Sequence, residues 1–118
     1  MPPDDWRTDD TTALFEAVLR LETPDEAAAF FRDLCTLGEL RDLAQRWSVA
    51  RLLDAGFHYA EISRRTGAST ATITRIASWL NHGEGGYRRL LARTPRTSPD
   101  ASGGPPDAPG RPPTRAAR

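Results

Sequence analysis

The chain has 118 residues, with 16 arginines, no lysine and 16 acidic side chains, so its formal net charge is zero. That length holds one domain with tails. A lone cysteine, Cys35, excludes an intrachain disulfide and fits a reducing cytoplasm. No apolar run approaches the ~20 residues of a membrane span, and no basic-then-apolar start marks a secretory signal.

Zero net charge hides an asymmetry. Residues 10–56 carry five arginines against nine acids, whereas residues 57–93 carry six arginines against Glu61 and Glu84 alone. The second half is the basic one, as phosphate binding requires. His58, His82 and Cys35 give no metal-ligand spacing, so neither metal nor cofactor is expected. No histidine is paired with a plausible nucleophile and no glycine-rich phosphate loop exists, which sets an enzyme aside.

Residues 1–9 read as a loose polar arm. A first helix is expected from about Thr12 to Glu22, with Leu14, Phe15, Val18, Leu19 and Leu21 apolar. Thr23, Pro24 and Glu26 have the pattern of a helix start: threonine cap, proline at the first position, and an acid to close a capping box. The helix that follows carries Ala27, Phe30, Phe31 and Leu34. Thr36 and Glu39 repeat the capping pattern and open the longest helix, about Leu37 to Ala55, with Leu40, Leu43, Trp47, Ala50 and Leu53 on one stripe.

Residues 59–80, YAEISRRTGASTATITRIASWL, read as two short helices joined at Gly67, where a helix end needs positive φ. Ser69 is the expected N-cap of the second, accepting from Ala71 or Thr72 N–H. Ile73, Ile76, Ala77 and Leu80 form its buried stripe, leaving Thr70, Thr72, Thr74 and Arg75 largely outside. Small hydroxyl side chains at the exposed N-terminal end of a second helix suit the major groove, where threonine bonds base edges or touches a thymine methyl. This is a helix-turn-helix pattern. Ser69, Thr70, Ala71, Thr72 and Thr74 are the candidate base readers, with Tyr59, Arg64 and Arg65 as backbone contacts.

A last helix spans about Glu84 to Ala92 with Tyr87, Leu90 and Leu91. Residues 94–118 contain seven prolines and only scattered alanines, a composition that cannot offset ordering entropy and predicts disorder. The organisation expected is therefore an arm at 1–9, a helical domain at 10–93 and a tail at 94–118. The apolar faces of helices one, two and six exceed what one small core can hide, so a homodimer is expected, matched to two half-sites of a palindromic duplex.

The stretches FFRDLCTLGELRDLAQRW, LLDAG, YAEISRRTGASTATITRIASWLNHG and GGYRRLL resemble the tryptophan-repressor superfamily, and most closely its YerC/YecD branch. The similarity runs from about Leu14 to Leu91. The resemblance implies an all-α, six-helix, intertwined homodimer that binds operator DNA and regulates transcription. It also implies an effector pocket between the long helix and the recognition helix, with Arg46 and Arg75 at the positions of the pocket's two arginines. The residue after the second arginine is small in the repressor and is Ile76 here, which favours operator binding without tryptophan. The alternatives are a dimeric protein-interaction module on the same fold and an amino-acid-responsive repressor.

Overall fold

A computed structural model of the chain describes residues 5–95. Among them are six α-helices and no strand: α1 (Asp9–Leu19), α2 (Pro24–Leu34), α3 (Leu37–Asp54), α4 (Tyr59–Thr66), α5 (Thr70–His82) and α6 (Gly86–Ala92). Residues 1–4 of the expected arm and 96–118 of the expected tail lie outside the described residues. The chain divides into two compact units, one through Arg41 and one from Asp42. No helix among the described residues is long and apolar enough to cross a membrane.

In the first unit, helix starts are set by threonines. Thr8 caps α1 by accepting from Thr11 N–H at 3.1 Å, and Thr11 Oγ1 accepts in return from Thr8 N–H at 2.9 Å. The helix thus begins three residues before the expected Thr12 and ends at Leu19 rather than Glu22. Thr23 Oγ1 accepts from Glu26 N–H at 3.0 Å, as expected, but the Glu26 carboxylate reaches past the cap to Glu22 N–H at 2.9 Å. Thr36 and Glu39 form the full reciprocal box, at 2.8 and 3.1 Å.

The segment before α1 is not a loose arm throughout. Thr11 Oγ1 donates to Trp6 C=O at 2.8 Å, and the Trp6 ring meets Phe15 edge-on at 6.3 Å. None of the described residues through Arg41 is buried. Phe15, Leu19, Leu34 and Leu37 remain exposed.

The second unit has a core. Val49 and Ala50 from α3, Phe57, Ile62 from α4, Ala68, and Ile73 and Ile76 from α5 form one buried cluster, with Trp47, Leu52, Leu53, Ala55 and Tyr87 packed against it. Burying a side chain such as Ile62 or Ile73 contributes about 1.5–3 kcal/mol each. On α5 the expected stripe holds: Ile73, Ile76 and Leu80 are buried and Ala77 half-buried. On α3 the stripe differs, because Leu43 is exposed and Val49 is fully buried. Arg88 ties α6 to its neighbours, donating to Asn81 Oδ1 at 2.8 Å and lying 3.9 Å from the Asp54 carboxylate.

Candidate nucleic-acid interface

The turn between α4 and α5 is built from hydrogen bonds local in sequence. Gly67 ends α4 at φ 77°, ψ 2°, with its N–H donating to Ser63 C=O at 2.8 Å. Ser63 Oγ donates to Ala68 C=O at 2.8 Å, and Thr66 Oγ1 donates to Ile62 C=O at 2.7 Å while accepting from Ala68 N–H at 3.1 Å. One bond comes from farther away: Gln45 Nε2 on α3 donates to Thr66 C=O at 3.1 Å. Buried Ala68 then pins the turn to the core.

Ser69 caps α5 as expected, and of the two candidate donors it is Thr72 N–H that it accepts, at 3.1 Å. Its hydroxyl also lies 3.1 Å from Thr72 Oγ1, to which it donates. This leaves the Thr72 hydroxyl proton outside the cap. Ser69, Thr70, Ala71 and Thr74 are exposed and Thr72 is half-buried. The five candidate readers therefore share the first turns of one helix whose opposite face is anchored by Ile73 and Ile76.

The flanking contacts divide unequally. Tyr59 is exposed at the start of α4. Arg64 and Arg65 both donate to the same oxygen of Glu61, Oε2, Arg65 through Nε at 2.6 Å. The two guanidiniums hold the Glu61 carboxyl well below its ordinary range, at about 2, by hydrogen bonding first and charge attraction second. Arg65 also lies over the Phe57 ring, 4.6 Å from its centroid. Sequence reasoning missed this seat: Glu61 at i−4 was a visible signal, whereas the Phe57 ring was not.

A second feature adjoins the reading helix. Asp42, Gln45 and Arg46 from α3 and Thr72 and Arg75 from α5 line a polar cleft of about 250 Å³. The two arginines assigned by resemblance to an effector pocket thus share one cleft. Among the described residues, no ion pair links Arg46 to Asp42. Ile76 does not line the cleft; it is fully buried in the cluster that includes Val49 and Ala50. Arg46 also acts on Tyr87, whose hydroxyl is pushed up by burial and drawn partly back by that charge. Tyr87 stacks on Trp47, nearly parallel at 6.3 Å, and both line an apolar groove of about 640 Å³ with Trp79 and Leu90. No group of three or more potential metal ligands occurs among the described residues.

A short helix, a glycine turn and a second helix with a polar N-terminal turn, seated on α3, define an all-α helix-turn-helix protein. The model of the Trp repressor protein family matches residues 9–95. The chain belongs to that family. YerC of Bacillus subtilis (strain 168), itself uncharacterized, is 42% identical over 102 residues, covering 86% of this chain and 98% of YerC. The solved structure of a TrpR-like protein from Eubacterium eligens ATCC 27750 is 43% identical, with TM-score 0.73 over 76% of this chain and 93% of that one. Another, from Staphylococcus aureus, is 41% identical with TM-score 0.73, covering 79% and 93%.

Proposed function

We propose that this chain is a homodimeric, sequence-specific DNA-binding regulator of transcription that reads the major groove of a palindromic operator with the N-terminal turns of α5. The observation that carries this is the exposed run Ser69, Thr70, Ala71 and Thr74, with half-buried Thr72, projecting from a hydrogen-bonded turn in the basic half of a Trp repressor family chain. Ser69, Thr70, Ala71, Thr72 and Thr74 face base edges in this reading. Tyr59 and Arg64 contact the sugar–phosphate backbone, and Arg65 supplies charge from its seat on Phe57.

Dimerisation is supported by the unit through Arg41, which buries none of its described residues and leaves Phe15, Leu19 and Leu34 exposed. A second copy covering these side chains and the Trp47–Tyr87 groove supplies the missing core. Sedimentation at micromolar concentration then gives about twice the 13.0 kDa chain mass, and a well-folded monomer refutes the dimer. Selection of bound sequences from a random duplex pool tests the function itself. An enriched palindrome is the expected result, and no enrichment at low salt refutes the reading.

The Trp47–Tyr87 groove, with exposed Trp79 and Leu90, favours a second reading, a protein-interaction module. It takes precedence if that groove stays solvent-exposed in the dimer. The polar cleft of Arg46 and Arg75 is the place for an effector, and a carboxylate is the chemistry two guanidiniums there attract.

A further inference from the structure

We propose that Glu61 is a charge brake on DNA binding, its carboxylate holding Arg64 in the place of a DNA phosphate and so suppressing attachment to random sequence. This rests on the DNA-binding reading above. The geometry of the cluster is what points to it. Glu61 stands in the first turn of α4, where the helix's N-terminal partial charge favours a carboxylate. A single oxygen, Oε2, accepts from both Arg64 and Arg65. The two arginines differ in everything else. Arg65 is packed on Phe57 and its side chain is 28% exposed, whereas that of Arg64 is 71% exposed and is held, among the described residues, by Glu61 alone.

Arg65 is therefore fixed by the fold, and Arg64 is the guanidinium that can exchange partners. A carboxylate and a phosphate present the same acceptor oxygens to a guanidinium, so the exchange leaves the bonding of Arg64 intact. What it changes is charge: with Glu61 ionised the cluster carries +1 rather than +2. Complexes on random DNA are held almost wholly by phosphate attraction, and each phosphate neutralised contributes about −0.9 to the slope of log affinity against log salt. Complexes at a preferred site are also held by base contacts from α5, which fix a phosphate within reach of Arg64. The brake consequently weakens random binding more than specific binding, and Glu61 acts as a specificity-determining residue without touching a base.

The test is Glu61→Gln in the full-length chain. The amide keeps the size, an acceptor oxygen and a comparable helix propensity, and removes only the charge. Binding to a random duplex and to the selected palindrome is titrated over a range of salt concentrations. Expected for E61Q on random DNA is a slope steeper by about 0.9 per protomer and, at 0.1 M salt, roughly eightfold tighter binding for each protomer engaged. Palindrome affinity rises less, so the specificity ratio falls. Arg64→Gln in the E61Q background abolishes the gain. An unchanged slope, equal gains on both DNAs, or a gain that survives loss of Arg64 overturns the brake. If neither wild type nor E61Q binds any duplex at low salt, the DNA-binding reading itself fails.

Discussion

Replacing Gly67 by alanine isolates the backbone cost of the helix-turn-helix turn. A Cβ built there meets only Gln45 Nε2, at 3.9 Å, an ordinary van der Waals contact. Steric exclusion therefore contributes nothing, and the cost comes from holding an L-residue at φ 77°. Left-handed backbone costs about 1–2 kcal/mol for a residue with a Cβ. Alanine's smaller unfolded-state freedom offsets about 0.4–1 kcal/mol of that. The expected net loss is about 1 kcal/mol, or roughly 4–8 °C in melting temperature for a folded body of this size. Gly67→Asn should lose less, because asparagine tolerates the left-handed region. Urea denaturation at one fixed protein concentration measures both, the fixed concentration being needed because the proposed dimer would add concentration-dependent stability. An alanine variant as stable as wild type, or an asparagine variant less stable than alanine, refutes the assignment of the cost to φ.

Thr72→Ala should lower affinity for the selected palindrome by about 1–3 kcal/mol and leave random DNA nearly unaffected; the cap survives, since Ser69 Oγ accepts from the Thr72 backbone N–H. Equal binding of the palindrome by variant and wild type would mean α5 does not read at this position. Glu61 titrates at about 2 in the fold against an ordinary 4.5, so its stabilisation is complete above pH 4.5 and is lost as pH falls towards 2. The melting-temperature gap between wild type and E61Q should therefore close across that interval, and a constant gap would contradict the ion-pair cluster. Millimolar tryptophan should change operator affinity less than twofold, since the cleft of Arg46 and Arg75 is lined by polar side chains and Ile76 is packed into the core, so the cleft offers no apolar seat for an indole. A tenfold tightening, about 1.4 kcal/mol of coupling, would establish tryptophan as an effector.

The caps at Thr23, Thr36 and Ser69 and the turn at Gly67 were legible because each is a local rule, satisfied within four residues. Thr8 was not, since its partner at the third helical position is Thr11 rather than Glu or Gln, and three threonines in five residues compete for the role. The α5 stripe was legible because it is bounded by polar residues, whereas α3 is apolar on adjacent faces, so periodicity alone missed Val49. Buried Phe57 and Ala68 sit in connections rather than helices, where no period exists to mark them. The pairing of Arg46 with Arg75 in one cleft was available only through resemblance, being a contact between residues 29 apart in sequence. Arg65 looked like a surface phosphate contact because a ring eight residues upstream gives no periodic signal of its own.

Three consecutive helices, α1, α2 and α3, open on a threonine whose side chain accepts from the third residue of the helix. These bonds need no tertiary contact, yet the unit that carries the first two helices has none of its described residues buried. Helices of 11 residues are marginal by themselves in water, and each cap adds about 1 kcal/mol. Their boundaries are thus written locally, and in the proposed dimer their packing is supplied by the surface of a second copy. A segment whose helix limits are already set loses less conformational entropy when that surface arrives. In that dimer the threonines accordingly shift association from folding-upon-binding towards the docking of preformed rods.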